Sequence, residues 1–281
     1  MIQFFSDLQS YAFLRYALLA GILAAIPSGI VGSIIVVRRS TYIAGAISHC
    51  ILGGMGIARF LQTVYGVQWL TPLTGATIAA ILAALIISWA TIEGKERMDS
   101  VLSILWAIGM ALGITFMMKT PGYGQDLMSY LFGSILMVSP GDLLLMSLLT
   151  TIVLTLIALF YNSILAICFN EEAALIHGVP VGLYTTIIHI LTALTTVLLV
   201  RVVGIVLVIA LLTIPAATAA RFTGRLFSMM IAATAISFGV TIGGLLIAYQ
   251  PELPVGATII ELAGILYLVV AGIGFLKRNG P

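Results

Sequence analysis

The feature that most constrains this chain is a succession of long apolar runs separated by short polar links. A helix that crosses a bilayer needs roughly 20 mostly apolar residues. Nine stretches qualify: 11–37, 42–62, 71–92, 100–118, 141–168, 184–200, 203–220, 226–249 and 256–276. An outer-membrane barrel would instead alternate over segments of about ten residues. The fold class expected is therefore all-α, a polytopic transmembrane helical protein. Its 281 residues form a single transmembrane domain, 1–281, because the polar links are too short for a soluble appendage. The seventh run is the weak one. Arg201 and Gly204 separate it from the sixth and Pro215 interrupts it, so a half-helix there would leave eight spans. Broken helices of that kind are tolerated where they line a cavity.

Composition agrees. Only 8% of residues are charged and 61% are hydrophobic, against about 25% charged in soluble domains. That excludes an ordinary cytosolic enzyme, a basic nucleic-acid binder and a disordered chain. Cys50 and Cys168 are too few for a disulfide framework or a metal knuckle. Residues 1–14 read as an amphipathic surface segment. Asp7 and a single Arg make a poor signal-peptide start.

Lys and Arg set the orientation. With nine spans and the N-terminus outside, Arg38, Arg39, Lys95, Arg97, Arg221, Arg225, Lys277 and Arg278 lie inside. Arg15, Arg59, Lys119 and Arg201 lie outside or at the outer rim. The orientation expected is N-out, C-in.

No nucleotide-binding GxxxxGK[ST] loop is present, and no HExxH or Ser/His/Asp constellation. Catalysis by this chain is not expected. Ionisable groups at membrane depth usually mark a translocation path. Three stand out: His49 seven residues into the second run, His189 near the start of the sixth, and Glu261 near the start of the ninth. A neutral imidazole ligates zinc, manganese or iron. A lone histidine in a span is also often a hydrogen-bonded structural residue, and spacing does not decide between the two. Gly45, His49 and Gly53 share one helical face. The glycines leave room for a neighbouring helix or for an ion with its waters.

Phe169–Val181, FNEEAALIHGVPV, reads as a short helix of about two turns between spans. Asn170 suits the N-cap, Glu171 and Glu172 the first turn, Gly178 the stop, and Pro180 blocks continuation. It is either a generic loop helix or a docking element for a cytoplasmic partner.

Six segments in order resemble the membrane permeases of bacterial ABC importers for zinc, manganese and iron. Gly32–Arg39 is similar to that family's G-S-F-L-V-L-R-R run. Ala44–Gly54 (AGAISHCILGG) resembles its G-D-A-L-S-H-A-x-x-P-G motif. Ile104–Gly113 (ILWAIGMALG) is similar to its next span, and Asp126–Ser139 to D-L-x-x-x-L-F-G-S-I-L-x-V-S. Val203–Ala219 resembles V-G-I-L-L-V-x-A-L-L-x-I-P-A-A-T-A, and Glu252–Ile260 resembles D-L-P-x-G-A-T-I-V. The 169–181 loop looks like the family's coupling helix, with Glu171, Glu172, Ala173 and Gly178 facing the ATPase.

The resemblance implies a permease subunit in the bacterial cytoplasmic membrane. It works as a homodimer, with cytoplasmic ATPase subunits and an extracytoplasmic metal-binding protein, surrounded by membrane lipid and without nucleic acid. The chain needs no cofactor of its own: the divalent ion is cargo and ATP is bound by the partner. His49 matches the family's histidine. Where the family has Asp four residues earlier, this chain has Gly45. Either Glu261 or His189 replaces that ligand, or backbone carbonyls and water suffice, or the substrate differs. Two rivals remain: an ion-gradient-driven secondary transporter, which predicts an inverted repeat and a midplane acid, and a permease for a metal chelate such as a siderophore or haem.

Overall fold

The computed structural model describes residues 7–94, 97–121, 133, 135–205, 207–249, 251 and 253–279, without the side chains of Arg201 and 276–279. Among these, ten helices are α1 (Ala12–Val37), α2 (Tyr42–Tyr65), α3 (Pro72–Glu93), α4 (Met98–Lys119), α5 (Pro140–Phe169), α6 (Glu171–Ile176), α7 (Val181–Val203), α8 (Val208–Ala219), α9 (Leu226–Tyr249) and α10 (Val255–Asn279). There is no strand among the described residues. Among the described residues, eight helices are long and apolar enough to cross a bilayer.

Of the two counts the sequence left open, nine spans and eight, α8 decides for eight. Its 12 residues rise roughly 18 Å, short of the ~30 Å hydrocarbon core. Gly204, at φ +79°, ends α7 in a backbone conformation that L side chains rarely adopt. The short helix then turns back. Leu212 O faces Gly32, and Ala216 and Ala219 cluster with Val36 and Val37 at the C-terminal end of α1. The start of α7 lies near that same end, since Gly182 approaches Ile92 at the C-terminus of α3. So α7 and α8 form a hairpin whose return arm is half-length. The charged links carrying Arg38, Arg39, Arg97, Arg221 and Arg225 gather at this end, called the basic end below. Lys95 and the side chains of Lys277, Arg278 and Arg201 lie outside the described residues.

In lipid, apolar burial gives little drive for helices to associate, so close backbone approach and interhelical hydrogen bonds carry the packing. Glycines supply the approach. A Cβ on Gly53 would lie 2.9 Å from Gly109 O, and one on Gly56 would lie 2.7 Å from Gly113 O, which draws α2 onto α4. Gly54 and Gly75 do the same for α2 and α3. Helix α1 is the hub, packed on α5, α7, α8 and α9. There Ser28 and Ser237 share a hydrogen bond of 2.7 Å.

Pro27 lies inside α1. It has no N–H to give to the carbonyl four residues back. That carbonyl, Leu23 O, instead accepts a hydrogen bond from Thr150 Oγ1 of α5 at 3.1 Å. A neighbouring side chain thus repairs the proline break, as buried backbone in a bilayer requires.

Candidate functional site

His49 is half-buried on the second turn of α2, toward its C-terminal side. Its imidazole stacks on the indole of Trp106 from α4, with centroids 4.4 Å apart and planes 25° from parallel. The Nδ1 atom is buried without a hydrogen-bond partner. Such an atom costs free energy unless something pairs with it. The structure thus holds one buried imidazole nitrogen without a hydrogen-bond partner among the described residues.

The hollow at Gly45 is filled. A Cβ there would come within 2.6 Å of Trp106 Cζ3 and 2.9 Å of Ile209 Cδ1. Of the two uses the sequence left open, room for an ion or room for a helix, the glycine serves the second. Indole carbon occupies the volume where a side chain at position 45 would begin. Sequence reasoning missed Trp106. The only signal for it was the missing side chain one turn before His49.

His189 sits on α7 at 3% exposure. Its Nδ1 lies 2.9 Å from Ser88 Oγ of α3. The single hydroxyl proton of Ser88 goes to Ala84 O at 2.7 Å, so Nδ1 must donate and the bare lone pair is on Nε2. This pair ties α3 to α7. Glu261 lies on the exposed face of α10, and α10 packs on α9, α8 and lightly on α7. Among the described residues no group of three or more His, Cys, Asp or Glu could hold a metal ion. His49, His189 and Glu261 are thus not gathered into one such group among the described residues.

A groove of about 430 Å³ lies beside this site, lined by Tyr42, Asp99, Leu102, Ser103, Trp106 and Ala107. Asp99, Ser103 and Trp106 are spaced to share one face of α4.

At the basic end, α6 spans Glu171–Ile176, as the capping residues predict. The Asn170 side chain accepts from Ala173 N at 3.0 Å. Gly178 follows with φ +78°. Glu171 pairs with Arg38 at the end of α1. Leu175 and Ile176 are 65% and 83% exposed, which leaves an apolar tip on the only very short α-helix described. Glu172 and Ala173 lie on the same helix, and Gly178 lies two residues beyond its end.

Comparison with known proteins places these features in a wider set. Residues 10–273 match the model of the ABC 3 transport family. The chain is 38% identical over 251 residues to a probable metal transport system membrane protein of Chlamydia muridarum, covering 89% of this chain and 85% of that one. It is 34% identical over 264 residues to the manganese transport system membrane protein MntC of Halalkalibacterium halodurans, covering 94% and 88%. Among solved structures, PsaBC from Streptococcus pneumoniae in complex with Fab matches with a TM-score of 0.85 at 31% identity, over 96% of this chain and 95% of that one. An inward-facing metal-chelate type ABC transporter matches with a TM-score of 0.70 at 14% identity, over 92% and 86%, a likeness of fold.

Proposed function

The chain belongs to the ABC 3 transport family, and from that premise we propose that it is the permease subunit of an ATP-driven importer of a divalent transition-metal ion. It is a multi-pass protein of the bacterial inner membrane. The observation that carries the proposal is the match, over nearly the whole chain, to relatives named as metal and manganese transport membrane proteins. The cargo class is zinc, manganese or iron. The affinity order of divalent metals favours zinc over manganese at any nitrogen or oxygen site, so selectivity is assigned to the external delivery protein.

The chain itself catalyses no reaction. ATP is hydrolysed on a separate subunit, and the metal ion is cargo. The basic end faces the cytoplasm by the distribution of Lys and Arg. There α6, held by Arg38 and bearing exposed Leu175 and Ile176, is the handle that the ATPase moves. Two copies of the chain enclose the path. Glu261 supports this arrangement: a carboxylate exposed on α10 within a span is costly to leave against lipid, and a second copy can cover it. His49 is the ligand that touches the ion in transit, which suits an unpartnered Nδ1.

The test is uptake of zinc, manganese and iron(II) into proteoliposomes. Uptake that requires both ATP and the ATPase subunit is the expected result. Uptake driven by an ion gradient with neither present would replace this proposal with a secondary transporter.

A further inference from the structure

The Trp106 indole touches two things at once. It stacks on the His49 ring, and it forms part of the wall of the groove beside it. His49 does not itself line that groove. The indole therefore stands between the imidazole and the groove. Tyr42 precedes His49 by seven residues on α2, and Asp99 precedes Trp106 by seven on α4, which sets both about 10 Å closer to the basic end. Tyr42 is 72% exposed there. The groove thus runs from the basic end up to the indole, with the Asp99 carboxylate and the Ser103 hydroxyl along it.

Gly45 provides the seat. Cζ3 of the indole lies only 2.6 Å from where a Cβ at position 45 would stand, so any larger residue displaces the ring. Side-chain packing in a helix bundle does not tolerate such overlap without moving something.

We infer that Trp106 is the gate of the ion path, resting on the metal-permease proposal above. With the ring stacked and seated on Gly45, an apolar wall separates His49 from the groove. With the ring swung away, the imidazole and the groove join. A hydrated divalent ion then passes from one nitrogen ligand to the oxygens of Asp99 and Ser103, which suit such cations. Apolar constrictions of this type close a path by excluding water. In this account position 45 is a ring seat, and Trp106 is a positioning and gating residue for His49.

The experiment uses the permease assembled with its ATPase in proteoliposomes containing a zinc-responsive dye. Without ATP, Trp106→Ala raises passive Zn²⁺ influx several-fold, and Gly45→Leu, which evicts the ring, leaks likewise. Trp106→Phe keeps an aromatic stack and stays near the parent. A second measurement uses a Trp69→Phe/Trp89→Phe background, both replaced rings being surface-exposed at 71% and 59%. There Co²⁺ quenches Trp106 emission saturably, and His49→Ala removes the saturable part. Passive influx at the parent level in assembled Trp106→Ala, or Trp106 emission indifferent to Co²⁺, overturns the gate while leaving ATP-driven uptake intact. Absence of ATP-driven uptake in the parent overturns the permease proposal and the gate together.

Discussion

Thr150 of α5 donates a hydrogen bond to the carbonyl of Leu23 in α1 at 3.1 Å, the acceptor that Pro27 leaves without its helical partner. Replacing Thr150 by Val keeps the shape and removes the donor. The part-buried carbonyl then loses this partner, a cost of at most about 1–3 kcal/mol. Thermal unfolding of the purified protein should show the loss. Adding Pro27→Ala should recover part of it, because residue 27 then supplies its own N–H. No recovery in the double variant would mean that Thr150 acts by packing alone.

His49→Ala should abolish metal uptake while the permease still assembles with its ATPase, since the ring is half-buried and makes no described hydrogen bond through Nδ1. Uptake measured in vesicles at the parent rate would remove His49 from the path. The loss of the Trp106 stack is worth only about 0.5–1.5 kcal/mol beyond area burial, so the folded protein should survive the change.

Glu171→Gln should uncouple ATP hydrolysis from transport. The Glu171 side chain is 54% exposed but that of Arg38 only 10%, so losing the partner costs more than the roughly 0–1 kcal/mol of a fully exposed pair. The exchange Arg38→Glu with Glu171→Arg should restore coupling in part. Gly178→Val strains the φ +78° backbone that ends the α6 element, at a cost of about 1–2 kcal/mol, and should uncouple as well. Glu172→Ala is expected to do the same through the docking surface. The ratio of ATP hydrolysed to metal imported reads all of these, and unchanged ratios throughout would deny α6 its role.

Gly54→Leu should be among the most damaging changes in the bundle. The backbone carbonyl of Gly75 and the Ala79 methyl crowd the place of any Cβ at 54. Overpacking of this sort costs typically about 1–3 kcal/mol. Gly239→Leu meets nothing within 4 Å and serves as the control, with expression and melting temperature near the parent.

Most of the helical plan was legible in the chain, because a bilayer permits few spanning structures and apolar length announces them. The seventh run left two counts open, nine spans or eight, and the structure decides for eight among the described residues. Hydropathy averages over Gly204 and Pro215, and only the contacts of Leu212 and Ala219 with α1 show the return arm. Helix α6 was legible to within a residue or two, since its caps are local chemistry written in Asn170 and Gly178.

The site divides along the same line. The sequence by itself determined the class of protein, the family likeness, the histidine at membrane depth and the absence of a carboxylate one turn before it. Each of these is a property of residue type or local spacing. Only the tertiary structure decided what occupies the space at Gly45, that His189 spends its Nδ1 proton on Ser88, and that Glu261 faces away from the chain's own core. Those facts depend on which helix lies against which. In this bundle that is set by glycine contacts and interhelical hydrogen bonds between residues far apart in the chain, which no local pattern encodes.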